Sequence, residues 1–357
     1  MLNVNKLWNG LDHLVSRMAS PRMFFSDGLG DQDFLRSLPV TSQVSSARVT
    51  IESEQKGPGF VRRLASFSSP ASWLPEESKT AYIEMTLPES GAGHPGKDIP
   101  IFIHFAATGD ESTLPRRMLL AEPLARKGIA SVILENPYYG RRRPADQKDF
   151  VIETVSDQFK MNQATILEGL SLLKWLNELG YTNLGVTGVS MGGAMAASVA
   201  ASSELAVSVA ACIAPVGPGP AFCYGALSNR VDWQRLAPEL AQFFGGVISE
   251  QVSFIDQDVP ANTSIAKRRL YRLMSVADLR NYAAPRDPSR AILVGAHQDG
   301  YVPYRSVRAL HEHWKGSLLR TVPGGHVSAV LLKGNVFRDA IEELAFSSCA
   351  KVASGQK

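Results

Sequence analysis

The feature that most constrains this chain is a serine between glycines, Gly188-Val189-Ser190-Met191-Gly192, the one G-x-S-x-G in its 357 residues. The pentapeptide alone is weak, because a chain of this length shows one by chance about once in ten cases. Its setting is stronger. Leu184 to Thr187 reads as a strand leading in, and the Ala-rich run Met191 to Ala201 reads as a helix leading out. A serine on a tight strand-to-helix turn projects its hydroxyl above the edge of a sheet, and the glycines are needed where no side chain fits. The bland alternative is a serine capping a helix between packing glycines.

The surrounding pattern agrees with a layered α/β architecture. Ile99 to Ala106 and Ile129 to Leu134 are compact apolar runs, read as buried strands, with a helical period in Arg116 to Lys127 between them. Phe159, Ile166, Leu170, Leu173 and Leu176 mark a long amphipathic helix ending near Gly180, and Leu205 to Ala214 is again a strand. Alternation of this kind predicts a mostly parallel central sheet with helices on both faces. Right-handed crossovers then bring the strands' carboxyl ends to one edge, where ligands bind in open sheets. Val216-Gly-Pro-Gly-Pro220 interrupts the rhythm, and Pro285 to Pro288 ends the interruption. Between them, Trp233 to Phe244 and Ser264 to Tyr282 look helical, which predicts a helical cap insertion. The alternation resumes with strand Ala291 to Ala296, helix Tyr304 to Trp314, strand Leu318 to Val322 and helix Asn335 to Phe346. The expected organisation is a leading helix and connector (1–38), a first core part (39–215), the cap (216–289), a second core part (290–350) and a disordered tail (351–357). Short β-like runs around Val49 to Ile51 and Ala81 to Met85 belong to the first part, with Gly57-Pro58-Gly59 as a turn and Ser90 to Gly96 as a mobile loop.

A serine hydroxyl needs a base, and the base needs an orienting carboxylate. In a fold of this kind they follow in the order Ser, Asp, His. Asp299 lies 109 residues after Ser190, just beyond the strand Ala291 to Ala296, and His326 lies 27 further on, just beyond Leu318 to Val322. Ser190, Asp299 and His326 are therefore the expected catalytic residues. His311 and His313 sit within a helix and should point away from the edge, His297 is a candidate for lining the site, and His94 is in the predicted loop. An oxyanion needs fixed N–H donors. Met191 should supply one. The loop His104-Phe-Ala-Ala-Thr-Gly-Asp110 should supply the other, with Ala106 the first choice and Ala107 the second. Thr108-Gly-Asp110 reads equally as a plain turn.

Composition narrows the remaining classes. The net charge is only +3, which gives no support to nucleic-acid binding. Three cysteines, Cys212, Cys223 and Cys349, form no C-x-x-C pair and read as free thiols. No H-E-x-x-H, P-loop or G-x-G-x-x-G after a strand is present, so no metal or nucleotide cofactor is expected. No apolar run is long enough to span a bilayer. Lys6, Asp12, His13 and Arg17 interrupt any secretory signal, so an intracellular location is expected. Val4, Leu7, Leu11, Leu14 and Met18 recur at helical spacing. That helix could dock on the protein's own core, lie on a membrane or act as an import signal.

Several stretches together resemble the α/β-hydrolase domain-containing protein 18 family of animals and plants. They are Thr108-Gly-Asp110, Glu135-Asn-Pro-Tyr-Tyr-Gly140 followed by Arg142, Pro144 and Gln147, Thr187-Gly-Val-Ser-Met-Gly-Gly193 and Gly324-Gly-His-Val-Ser-Ala329. Pro21-Arg-Met-Phe-Phe-Ser-Asp-Gly28 is similar to plant members. The resemblance implies an α/β-hydrolase fold with a Ser190, Asp299, His326 triad. It also implies activity on lipid esters, since animal members are associated with mitochondria and with removing an acyl chain from cardiolipin. Two basic features bear on that substrate. Ser264 to Tyr282 combines an apolar stripe (Ile265, Leu270, Leu273, Met274, Ala277) with Lys267, Arg268, Arg269, Arg272 and Arg280, and suits either an anionic lipid surface or packing over the site. Arg141-Arg142-Arg143 reads as a surface turn or as a phosphate-binding cluster. The expectation is hydrolysis of a carboxylic ester, of lipid or phospholipid type, through an acyl-enzyme, with peripheral contact to anionic membrane. Acyl transfer to another alcohol or thiol shares that chemistry, and a non-catalytic binding protein could retain the fold.

Overall fold

The computed structural model describes residues 4–38, 43–89, 99–245, 259–260 and 262–353. Nine described strands form one sheet in the order β1-β2-β3-β5-β4-β6-β7-β8-β9. They are β1 (Thr50–Gly57), β2 (Phe60–Ser68), β3 (Thr80–Pro88), β4 (Ile101–Phe105), β5 (Ala130–Leu134), β6 (Leu184–Val189), β7 (Ser208–Cys212), β8 (Ala291–Ala296) and β9 (Leu318–Val322). The first three pair antiparallel and join β5 antiparallel. From β5 to β9 every pairing is parallel. The edge strand β1 is exposed along its length and carries Glu52, Glu54 and Lys56, charges that discourage further strand pairing.

The inner parallel strands are largely apolar without alternation because both their faces are covered, whereas the edge strand β9 is only part-buried. Ile101, Ile103 and Phe105 of β4 share a cluster with the helices α5 (Val155–Glu178) and α6 (Met191–Ser202), while Phe102 points the other way, toward α12 (Gly334–Ala353). β7 divides likewise, Val209 and Ala211 against Ala210 and Cys212. Strand order reverses between β4 and β6, which places a crevice at their carboxyl ends.

Several helices depart from the sequence pattern for identifiable reasons. Arg116 to Lys127 is not one helix: it is a short α3 (Leu114–Arg116), a wide turn over Arg117–Ala121 and α4 (Glu122–Ala125). Pro123 has no N–H to give the carbonyl of Leu119, and the Arg338 guanidinium donates to that carbonyl at 3.2 Å. The segment 264–282 is helical only as Ile265–Met274, then breaks into two short turns about Asp278, whose side chain accepts from Arg280 N–H. A short helix α2 (Gln32–Arg36), capped by Asp31, lies in the stretch expected to be a connector. α12 runs on to Ala353, into the expected tail. The predicted loop 90–96 with His94 lies outside the described residues.

The Glu135–Gln147 stretch is a buried knot joining β5 to α5. Arg142 is fully buried and makes a two-pronged ion pair with Glu168 of α5, at 2.5 and 2.9 Å. Its remaining donors go to the carbonyls of Ser78 and Glu135. Arg141 pairs with Glu135 and Arg143 with Glu111, so the three arginines are structural rather than a phosphate cluster. Removing one partner of a buried pair leaves the other charge unpaired, at about 3–5 kcal/mol. Arg142→Ala or Glu168→Ala should therefore lower the thermal midpoint by at least about 5 °C in scanning fluorimetry; an unchanged midpoint would show that the pair contributes no net stability.

Candidate active site

The turn at Ser190 is forced by crowding. An added Cβ on Gly192 would lie 2.4 Å from the Phe105 carbonyl oxygen, and one on Gly188 would lie 2.3 Å from the Gly192 carbonyl carbon. Only glycine permits these backbone approaches. Between them Ser190 takes φ 58°, ψ −122°, a strained conformation for a residue with a Cβ, costing about 1–3 kcal/mol. Its N–H is tied to the Cys212 carbonyl at 2.9 Å. The strain aims its hydroxyl into a cavity of about 960 Å³ at the carboxyl edge of the sheet.

His326 opens α11 (His326–Leu332), directly after β9, and lines the same cavity. Its Nδ1 lies 2.7 Å from Asp299 Oδ2. The other Asp299 oxygen accepts from the N–H groups of Tyr301 (2.8 Å) and Val302 (2.7 Å), which fix the carboxylate. A proton held on Nδ1 by this carboxylate leaves Nε2 as the free base. The ring is buried, which alone would lower its pKa. The Asp299 charge and hydrogen bond, with a further contribution from Asp12, outweigh burial, and His326 sits above its ordinary 6.5.

Of the expected oxyanion donors, Met191 stands at the N-terminus of α6 and lines the cavity, and so does Ala107. Ala106, the first choice from sequence, is buried with its carbonyl carbon beside Gly192 and does not line the cavity. Thr108-Gly-Asp110 is indeed a turn, with Gly109 at φ 80°, and Asp110 forms a buried ion pair with Arg116 at 2.6 Å. His104 lies inside β4 against Ser131. Burial, then the Arg116 charge, drives it down to about 3, so it stays neutral and structural.

The other described histidines have partners elsewhere: His13 bonds Asn229 at 3.3 Å. His297 packs at a tilt against Tyr304 (4.8 Å between ring centres) and does not line the cavity. His311 bonds Ser317 and His313 bonds the Tyr282 carbonyl, both away from the edge. Cys212 and Cys223 are buried free thiols, and burial pushes Cys212 up to about 12, so neither competes as a nucleophile. Cys349 lies outside the described side chains. Two residues that the sequence pattern did not single out touch the pair: Tyr301, whose ring lies 4.9 Å from that of His326, and Asp12, which accepts the His326 N–H at 2.8 Å. Asp12 carries no local motif, since its partners are about 300 residues away along the chain.

The pH dependence follows from His326. A base works only when neutral, so activity should rise through its elevated pKa, with the acid limb of kcat/KM centred above 6.5. Asp299→Asn should move that limb down and lower kcat by about 10⁴-fold. A limb unmoved by this substitution would show that another group titrates.

The cavity and the sheet order can be set against known proteins. An acetyl xylan esterase from Paenibacillus sp. R4 superposes with a TM-score of 0.54 at 12% identity, covering 91% of this chain and 98% of its own. The rice cell wall degrading esterase LipA from Xanthomonas oryzae gives 0.51 at 13% identity, covering 86% and 100%. At these identities the likeness is one of fold, that of the α/β-hydrolases. The family described as "Alpha/beta hydrolase domain containing 18" matches residues 22–346. The chain belongs to the alpha/beta hydrolase domain containing 18 family.

Proposed function

We propose that the protein is a serine hydrolase that cleaves the acyl esters of lipids, phospholipids among them, through an acyl-enzyme on Ser190. The observation that carries this reading is that Ser190 and the Asp299-bonded His326 face one cavity. Ser190 Oγ attacks the ester carbonyl as His326 Nε2 takes its proton. The Met191 and Ala107 N–H groups receive the oxyanion. Collapse expels the alcohol, protonated by His326. Water, activated by the same ring, then releases the acid.

The cavity favours a large apolar acyl group. Phe24, Phe105, Phe159, Leu167, Met195 and Phe222 line it, and its volume is near the top of the range for small-ligand sites, about 300–1,000 Å³. Its mouth supports a lipid surface as the source. Leu119 (59% exposed), Val330 (36%) and Leu331 (74%) belong to the lining yet face solvent. Leu114 and Met118 precede Leu119, Leu332 follows Leu331, and Leu14 and Met18 belong to the helix Val4–Met18, whose Val15 and Ser16 line the cavity; all five are exposed. Eight of the thirteen exposed large apolar residues among the described ones thus belong to three segments that line the cavity. Arg17 and Lys333 lie within the same segments, whose one acidic residue, Asp12, is buried, and suit an anionic surface. The basic helix α9 (Ile265–Met274) is a weaker contributor. Its Leu270, Leu273 and Met274 pack inward, Lys267 lies over the Trp233 ring, and Arg280 beyond it pairs with Asp278. Among the described residues no helix is long and apolar enough to cross a membrane, so contact would be peripheral.

Assay with phospholipid vesicles and with a short soluble ester separates the two parts of this reading. Ser190→Ala should reduce both activities by about 10⁴-fold or more. Met18→Glu with Leu332→Glu should cut vesicle hydrolysis about a hundredfold or more, since burial of each apolar side chain contributes roughly 1.5–3 kcal/mol, and should change short-ester hydrolysis far less. Equal loss on both substrates would contradict the surface role, and full activity of Ser190→Ala would contradict the nucleophile.

A further inference from the structure

The helix α1 (Val4–Met18) docks on the protein through a polar face. Among its described side chains, Leu14 and Met18 are exposed and Asp12 and Ser16 are buried, with buried Ser20 beyond its end. Asp12 is fully buried. Its Oδ2 accepts from the N–H groups of Gly300 (2.9 Å) and His326 (2.8 Å), and its Oδ1 accepts from Val327 (3.0 Å). Gly300 follows Asp299. His326 and Val327 are the first two residues of α11, whose N–H groups have no partner within their own helix. One carboxylate therefore ties the loop that carries Asp299 to the loop that carries His326. Gly325 makes the approach possible, because an added Cβ there would lie 2.6 Å from Asp12 Oδ2. The far end of the helix is fastened too. Arg230, which lines the cavity, donates to the carbonyls of Arg17, Ser20 and Arg22.

We propose that Asp12 is a positioning residue of the active site, holding the His326 backbone in register with Asp299, and that α1 is accordingly a working part of the catalytic centre. The inference rests on the reading of Ser190 and His326 as nucleophile and base. A hydrogen bond of about 2.7 Å between Asp299 and His326 needs both loops fixed to within a few tenths of an ångström. Asp299 is set by its own loop through Tyr301 and Val302. The His326 backbone is set by a carboxylate from 314 residues earlier. The charge acts as well as the geometry: Asp299 and Tyr301 from the β8 loop reach the ring, the Asp12 charge from α1 acts on it from the backbone side, and Arg230 and Ser190 line the same cavity. Loss of the Asp12 charge removes one of the influences that hold His326 protonated. α1 lies ahead of the residues matched by the family, 22–346.

The test is the rate at which a fluorophosphonate labels Ser190, followed against pH in the full chain, which needs no knowledge of the substrate. Asp12→Asn keeps the volume and removes the charge. It should slow the plateau rate about ten- to a hundredfold and move the acid limb down by roughly half a pH unit, with the protein still folded by circular dichroism. Gly325→Ala, at a backbone conformation any residue adopts, should push the carboxylate off and slow the plateau from the opposite side. A folded Asp12→Asn protein with the wild-type plateau and acid limb would overturn the proposal. So would a slowed plateau with the acid limb unmoved, which marks a merely structural role. Should Asp12→Asn not fold, Gly325→Ala decides alone, and a wild-type rate there overturns it. Absence of labelling at Ser190 in the wild type, by contrast, would overturn the parent reading and this one with it.

Discussion

One backbone contact organises the functional half of the molecule: the approach of Gly192 to the Phe105 carbonyl at the end of β4. No side chain fits there, so the chain after β6 must turn sharply into α6, and Ser190 is driven to positive φ at the sheet edge. The same contact brings the segment after β4 beside the N-terminus of α6. That is how Met191 and Ala107 come to line one cavity, although 84 residues separate them in sequence. The sheet supplies rigidity from below. β4 and β6 are paired along their full length, so their carboxyl ends cannot drift apart.

Around this contact the chemistry depends on carboxylates whose charge is held by donors. Asp299 receives two backbone N–H groups and the imidazole, and Asp12 receives three backbone N–H groups. Glu168 receives a guanidinium. Each is buried, and each would be unfavourable without its partners. The first two concentrate negative charge on His326, which strengthens it as a base. The third is remote from the ring and anchors α5, one wall of the cavity.

Much of this was legible in the sequence because it is local. Buried parallel strands read as apolar runs, as Ala291–Ala296 does, and the edge strand Leu318–Val322, with only Val322 buried, falls where the sequence pattern put it. Asp299 and His326 could be found because each directly follows such a strand. What was not legible depends on partners far along the chain. The apolar stripe of α1 left docking, a membrane face and an import signal open, and gave no sign that Asp12 would meet a set of backbone N–H groups. Leu14 and Met18 are left for the cavity mouth. The basic stripe of α9 suggested a lipid face, but cation–π and packing contacts within the protein absorb much of it. The arginines after Tyr139 carried no local sign of their carboxylate partners, of which Glu168 is 26 residues on. Ala106 and Ala107 could be ordered only once the depth of each was known, since sequence shows that a loop is small but not which amide faces outward.

The central claim is that an acyl group passes through Ser190 under the control of His326. The most direct measurement is acid quench during turnover of a slow ester, followed by mass spectrometry of the peptides. The account predicts an acyl adduct on the peptide containing Ser190, accumulating in the native protein and missing from His326→Ala. Steady turnover with no covalent adduct, or an adduct on a different residue, would contradict it.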